Sequence, residues 1–321
     1  MTARPPTPSS PAQHARRVAR YYDRNTRRFL ALGGGGQAAA IHRQIWAPGV
    51  QTRAQAVLYL NEWVACAVLG ELDRADAGVA QSAALPGALL EAAPVTDPAW
   101  GTQAAEALSV LDLGCGAGGT ATWLAQRYGL QVTGVTISAV QQRLAERRAR
   151  ELGLQERCRF LQADYLDLPA LGPFRAAIAI ESFLHAADAG RFFQQAAAQL
   201  APGGRLVLCD DFLAVRAEQG QATAWLERFR RGWQVGSLLP PPEVERLAQR
   251  AGLRLAACQD LSGWLRLHPP LRLALLGWIT RLPLPGAYWQ NLSGGTALQV
   301  CLQHGWTTYQ ALVFIKEAHV N

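Results

Sequence analysis

Apolar positions along this chain change rhythm near residue 108. Before it, a three-to-four-residue spacing predicts a helix from about His14 to Leu32. A second is expected over 51–72, with Val57, Leu60, Val64, Ala67 and Val68 on one face. After it, short apolar runs alternate with helical stretches. Strands are expected at Ser109–Leu113, Gln131–Val135, Cys158–Gln162, Ala176–Ile180 and Arg205–Cys209. The intervening helices run through Tyr128, from Ser138 to Leu152, and from about Gly190 to Leu200. Leu253–Asp260 and Tyr309–Ile315 read as a sixth and a seventh strand. Such alternation implies a parallel sheet covered on both faces.

Punctuating residues divide the chain further. Residues 1–13, rich in Pro, Ser and Thr, are expected to form a disordered tail. Residues 14–107 form an N-terminal helical cap and linker. Gly33–Gly36 act there as a flexible joint, and 75–107, rich in Ala, Gly, Pro and Ser, as a mobile linker in which Leu85–Ala92 could be a short helix. Residues 108–215 hold the ligand-binding core, and 216–251 a helical insertion. Residues 252–321 return the last strands to the core around an apolar insertion at 262–306. No internal repeat is present.

Composition narrows the class. Half the residues are hydrophobic and 17% are charged, which excludes disorder for the chain as a whole. Leu271 to Leu284 is interrupted by Arg272, Arg281 and Pro283, and Ala56 to Leu69 by Asn61 and Glu62. Neither reaches the roughly 20 apolar residues of a membrane span, so no stable membrane insertion is expected. The net charge is +7, and Lys316 is the sole lysine among 31 basic residues. Arginine suits phosphate or carboxylate recognition. No basic run alternates with aromatics, so nucleic acid is not the expected partner. The six cysteines show no paired spacing. They read as reduced, buried thiols of a cytoplasmic protein, with neither a disulfide framework nor a metal site.

The most informative stretch joins the first strand to a helix: Asp112-Leu113-Gly114-Cys115-Gly116-Ala117-Gly118. Glycines there allow a tight turn and close backbone approach to a ligand. The run resembles the first motif of class I S-adenosylmethionine-dependent methyltransferases, and the resemblance covers roughly 108–211. It implies S-adenosylmethionine as cofactor, held by Asp112, Gly114, Cys115 and Gly116. Asp164, followed by Tyr165, stands where such enzymes meet the adenine. Pro202-Gly203-Gly204 resembles the turn into their fifth strand. The implied fold is α/β and Rossmann-like: a seven-stranded, mostly parallel sheet with the last strand antiparallel and a helical cap. At the end of the second strand, Thr136 stands where most members carry a ribose-binding acid. The run Thr136-Ile137 with Gln141 downstream resembles the tocopherol, sterol and prenyl diphosphate C-methyltransferase subgroup, where backbone groups and Gln141 are expected to hold the ribose.

The fourth strand ends in Glu181-Ser182-Phe183-Leu184-His185, and parallel sheets place ligands at such ends. Together with Tyr21-Tyr22-Asp23, a run that folds over the cofactor in the subgroup, this resembles the same enzymes. The implied reaction is C-methylation of an isoprenoid alkene, possible cyclisation included. The carbocation needs a base and aromatic surroundings. Glu181, also beside the cofactor, is the expected base, with His185 orienting it or binding substrate. Tyr22, Phe183, Trp46, Trp225 and Trp233 are candidates for aromatic walls, and Tyr21 for substrate contact. His42 and Arg43 could hold an anionic head group such as a diphosphate, in which case Mg²⁺ would accompany it. The apolar insertions could enclose a greasy small-molecule substrate, touch a membrane or join copies into a homo-oligomer. The rival readings are O- or N-methylation of a small natural product, cyclopropanation of a lipid chain, and a cofactor-binding subunit without catalysis.

Overall fold

The computed structural model describes residues 10–32, 42–70, 108–214, 220–282 and 284–318. Residues 1–9 of the expected tail, the glycine joint, the linker at 75–107 and positions 216–219 of the helical insertion lie outside them. Helix α1 (Pro11–Leu32) starts earlier than the apolar spacing suggests. Ser10 and Gln13 bond each other's backbone N–H reciprocally, at 3.3 Å each, and proline suits the first helical position. Residues 11–13 are therefore helix rather than tail.

Helix α2 (Arg53–Leu69) is closed by a Thr52/Gln55 capping box and by Gly70 in the left-handed conformation. It is not one-faced. Almost every residue from Ala56 to Val68 is buried, and its acid, Glu62, is matched by Arg127 at 2.8 Å and the Tyr128 hydroxyl at 2.6 Å. A helix apolar all round is an interior helix.

Seven strands follow: β1 (Ser109–Leu113), β2 (Gln131–Thr136), β3 (Cys158–Gln162), β4 (Phe174–Ile180), β5 (Leu200–Leu213), β6 (Leu253–Asp260) and β7 (Thr307–Lys316). They form one sheet in the order β3-β2-β1-β4-β5-β7-β6. The first five are parallel, and β7 inserts antiparallel to both β5 and β6. Strand β5 runs on to Leu213, well past the expected Cys209, because it pairs with β7 all the way from Arg205 to Leu213.

Helices α3 (Gly119–Tyr128), α4 (Ala139–Glu151), α5 (Ala189–Gln199) and α7 (Pro241–Arg250) flank the sheet. Alternate strand residues serve the two faces. Val110, Ala176 and Ile178 join the core under α2, α3 and α4. Leu111, Leu113, Ala177 and Ala179 join the core of Phe192, Phe193 and Val244 from α5 and α7. A third, smaller core lies between α6 (Gln221–Trp233) and α9 (Ala287–Gln303). The two helices cross so closely that a Cβ on Gly232 would lie 2.5 Å from the Gly294 Cα. The two insertions therefore build one cap, with α8 (Pro270–Ile279) on its outside. Among the described residues no helix is long and apolar enough to cross a membrane.

Candidate active site

The chain leaves β1 for β2 and β3, then returns to β4 on the other side. The strand order reverses between β1 and β4, and a crevice opens beyond their carboxyl ends. Its floor is the glycine turn. The N–H groups of Gly114 and Cys115 both donate to the Val135 carbonyl, at 2.8 and 2.9 Å. Gly114 has φ +93°, and a Cβ there would lie 2.4 Å from that of Ser182. Ser182 in turn donates its hydroxyl to the Leu113 carbonyl at 2.5 Å. Only glycine lets the β1 turn sit against the end of β4 in this way.

The crevice holds about 800 Å³ of empty space, part of it open to solvent. Gly114, Gly116, Thr136, Ile137, Asp164, Tyr165, Glu181 and Ser182 line it from the sheet side. His14 and Tyr22 of α1 and His42 cover it. A bare glycine backbone at one strand end and an acid beyond the β3 end, facing one shared space, fit a nucleoside-bearing cofactor such as S-adenosylmethionine.

Helix α1 is latched over this crevice at several points. The Asp23 carboxylate accepts from the Ser138 hydroxyl at 2.5 Å and the Val140 N–H at 3.3 Å, at the start of α4, where a negative charge is favoured. Tyr22 and His185 Nε2 are 2.6 Å apart. His185 Nδ1 lies 3.3 Å from the Gln234 carbonyl, so Nδ1 carries the proton and Nε2 accepts from the Tyr22 hydroxyl. Burial lowers His185 to about 4, which keeps the ring neutral and suits this arrangement. His14 Nε2 donates to the His185 carbonyl at 3.0 Å.

Glu181 occupies the left-handed region, φ +49°, a conformation that costs a non-glycine residue about 1–3 kcal/mol. It aims the carboxylate at two donors: the Arg43 N–H at 2.8 Å and the Tyr309 hydroxyl at 3.0 Å, both on Oε1. The Arg43 guanidinium forks onto buried Asp211, with Nη1–Oδ1 at 2.7 Å and a second prong from Nη2 to Oδ2, and lies 4.7 Å from the Tyr309 ring centroid. Burial works against the arginine's charge, but Asp211 and Glu181 outweigh it and hold it protonated. Burial also pushes neighbouring Asp210 well up, as does Asp211 beside it.

A second cavity lies across Arg43 from the crevice. Arg43, Gln44, Trp46, Trp233, Leu265, Arg266, Leu298 and Leu302 are among its lining. Arg266 stacks over Trp46, 3.3 Å from its centroid.

Several expected site residues sit elsewhere. Gln141 does not line the crevice: its amide oxygen accepts the Thr136 hydroxyl at 2.7 Å, and the side chain is buried. Asp112 and Cys115 lie below the turn. Burial raises Asp112 to about 7, and a Cβ on Gly134 would lie 2.9 Å from the Cys115 sulfur. Phe183 is fully buried against Phe192 and Phe193, so it is core and not wall. Trp225 packs on Gly277 within the cap. Tyr21 bonds Asn291 of α9 at 2.5 Å. Arg43 is neutralised by Asp211 rather than free for a head group. Trp46 and Trp233 face the second cavity. His185 does line the crevice, but it partners Tyr22 rather than Glu181. His42 reaches the crevice and bonds Asn61 at 3.0 Å. Among the described residues no cluster of His, Cys, Asp and Glu is arranged to hold a metal ion.

Sequence reasoning missed Tyr309, Asp211, His14 and the latching role of Asp23. The Asp210-Asp211 pair in the middle of an apolar run was the one available signal, since two acids in a central strand need partners.

Residues 110–204 match the family model described as a methyltransferase domain. The chain is 31% identical over 153 residues to O-methyltransferase rstn1 of Aspergillus nomiae, covering 47% of this chain and 67% of that protein. It is 38% identical over 155 residues to methyltransferase GfsG of Streptomyces halstedii, covering 48% of this chain and 55% of that one. The chain thus spans little more than half the length of several curated relatives. Among solved structures, geranyl diphosphate methyltransferase in complex with GPP and sinefungin superposes with a TM-score of 0.63, at 23% identity, over 94% of this chain and 99% of that one.

Proposed function

This chain belongs to the S-adenosylmethionine-dependent methyltransferase family, and on that premise we propose that it methylates a small, largely apolar acceptor with Glu181 as the proton-accepting group. The observation that carries this reading is the Glu181 carboxylate, turned into the crevice by a strained backbone and braced by two donors. Gly114, Gly116, Thr136, Ile137, Asp164 and Tyr165 would hold the cofactor. Bound there, S-adenosylmethionine supplies an electrophilic methyl group.

The chain's own residues do the rest. Both donors act on Oε1, which leaves Oε2 to take a proton. Tyr309 and the Arg43 N–H fix the carboxylate's direction, so the base needs no reorganisation. The α1 latch through Tyr22, Asp23 and His14 excludes water from the reacting end.

The finer reading is C-methylation of an isoprenoid alkene. The alkene's π pair forms the new carbon–carbon bond, and Glu181 removes a proton from the carbon next to the cation. In the second cavity Trp46, Trp233, Leu265, Leu298 and Leu302 stand beside Arg43 and Arg266, and that apolar part of the wall supports a greasy acceptor. A second reading, O-methylation, is favoured by the pairing of Arg43 with Asp211, which takes away the expected holder of a diphosphate. Glu181 would then take the hydroxyl proton.

Mass spectrometry of the purified chain with S-adenosylmethionine tests both. The panel holds prenyl diphosphates of increasing length with Mg²⁺, the corresponding prenyl alcohols, and phenols. A methylated prenyl carbon establishes the isoprenoid reading. Methyl ethers alone, with every alkene carbon untouched, replace it with O-methylation.

A further inference from the structure

Helix α8 buries only one side. Leu273 and Gly277 face the cap, with Gly277 against the Trp225 ring. On the opposite side, within a narrow arc of the helix, Leu271 is 87% exposed, Leu275 58% and Trp278 68%. The apolar surface continues through Leu282, Leu284 and Tyr288, all more than half exposed. These six large apolar residues follow one another along the chain from α8 to the start of α9, a concentration of exposed apolar side chains that a water-facing surface does not ordinarily show.

Charge decides what covers it. Residues 261–316 contain no Asp or Glu at all, while Arg266, Arg272, Arg281 and Lys316 fall within them. Arg228 of the adjoining α6 reaches across to the Gly277 carbonyl at 3.4 Å. Arg281 and Arg231 are close enough to act on it as like charges. Helix α6 carries one acid, Glu227, which is exposed.

A second copy of the chain seated on this patch would bring arginines against arginines with no carboxylate from the segment to pair them. Apolar side chains at the centre and arginines at the rim match the headgroup boundary of an anionic bilayer. At 1.5 Å per residue α8 is only about 15 Å long, a helix that lies in an interface and does not span it. We propose that α8 and the following turn dock the protein on anionic phospholipid surfaces, with Leu271, Leu275 and Trp278 inserted below the headgroups and Arg272, Arg281 and Arg228 against the phosphates. This docking holds whichever acceptor is methylated, and its test needs no turnover.

The test is flotation of the intact chain with vesicles. One set is phosphatidylcholine alone, and the other carries about one third phosphatidylglycerol, where docking predicts a roughly tenfold or greater excess of bound protein. The Leu271→Ser, Leu275→Ser, Trp278→Ser triple variant is expected to lose that excess while melting with the wild type. Arg272→Glu with Arg281→Glu should lose it too. Arg147→Glu with Arg150→Glu, on the exposed face of α4, should keep it. Equal flotation of the triple variant, or loss in the α4 variant, would mean diffuse attraction of a basic protein and would overturn the proposal. So would the absence of flotation with the anionic vesicles, and a wild-type dimer that the triple variant splits would then assign the patch to a second copy of the chain.

Discussion

Glu181 follows β4 and Tyr309 lies on β7, with β5 between them, and their side chains meet at 3.0 Å. Replacing Glu181 by Gln keeps the shape and removes the proposed base. Turnover should fall about 10²- to 10⁴-fold, while calorimetric binding of the demethylated cofactor stays near wild type. Tyr309→Phe removes one of two donors and should cost about tenfold in turnover. If the order of severity is reversed, Tyr309 is the proton acceptor and Glu181 only braces it.

His185 provides a pH signature of its own. Burial lowers its folded-state value to about 4 from an ordinary 6.5. Between those values the unfolded chain binds the extra proton and the folded one does not. Stability from this group is therefore complete above pH 6.5 and is lost as the pH falls toward 4, by up to roughly 3 kcal/mol. Urea unfolding of wild type and His185→Gln at neutral pH and near pH 5 should show the gap between them narrowing with acid. A gap independent of pH would mean that the ring takes up its proton in the fold just as it does in the unfolded chain.

At the scale of elements, α1 acts as the crevice's lid. Its latch to α4 is a carboxylate at a helix N-terminus, worth about 0.5–2 kcal/mol. Asp23→Ala should accordingly raise the cofactor dissociation constant about threefold to thirtyfold, with little effect on turnover at saturation. An unchanged dissociation constant would show that α1 stays closed without this latch. Helix α2 teaches a different lesson. Its spacing suggested one apolar face, but the helix is interior, because Glu62 and Asn61 find partners on α3 and at its start. Spacing alone does not reveal a partner that neutralises a charge.

Across the whole molecule, the Arg43–Asp211 pair ties the segment before α2 to the centre of the sheet. Asp211 is fully buried. Removing one partner of such a pair costs about 3–5 kcal/mol, whereas replacing both with apolar groups costs far less. Denaturant unfolding of Arg43→Met, Asp211→Leu and the double variant should show two strongly destabilised singles and a largely recovered double. Additive losses would mean that Arg43 acts mainly through Tyr309, over whose ring it lies.

The core of the fold was legible in the chain because its determinants are local. Strand–helix alternation, the Gly114–Gly118 turn and the Asp164 and Glu181 positions at strand ends are each written within a few residues, and β1 and β3 appear where the apolar runs stand. The antiparallel seventh strand came from resemblance, and its antiparallel pairing with β5 and β6 bears it out. What tertiary structure alone decided is which side chains share a space. Phe183 and Trp225 have the composition of a substrate wall, yet packing consumed them, since an aromatic side chain is satisfied by any apolar neighbour. Arg43 has the chemistry of an anion holder, yet Asp211, far away in sequence, meets it first. Likewise Gly232 and Gly294 join two insertions into one cap only because their backbones touch. Local propensity and turn chemistry are encoded residue by residue. Pairing across the fold depends on distances that close only when the chain has folded.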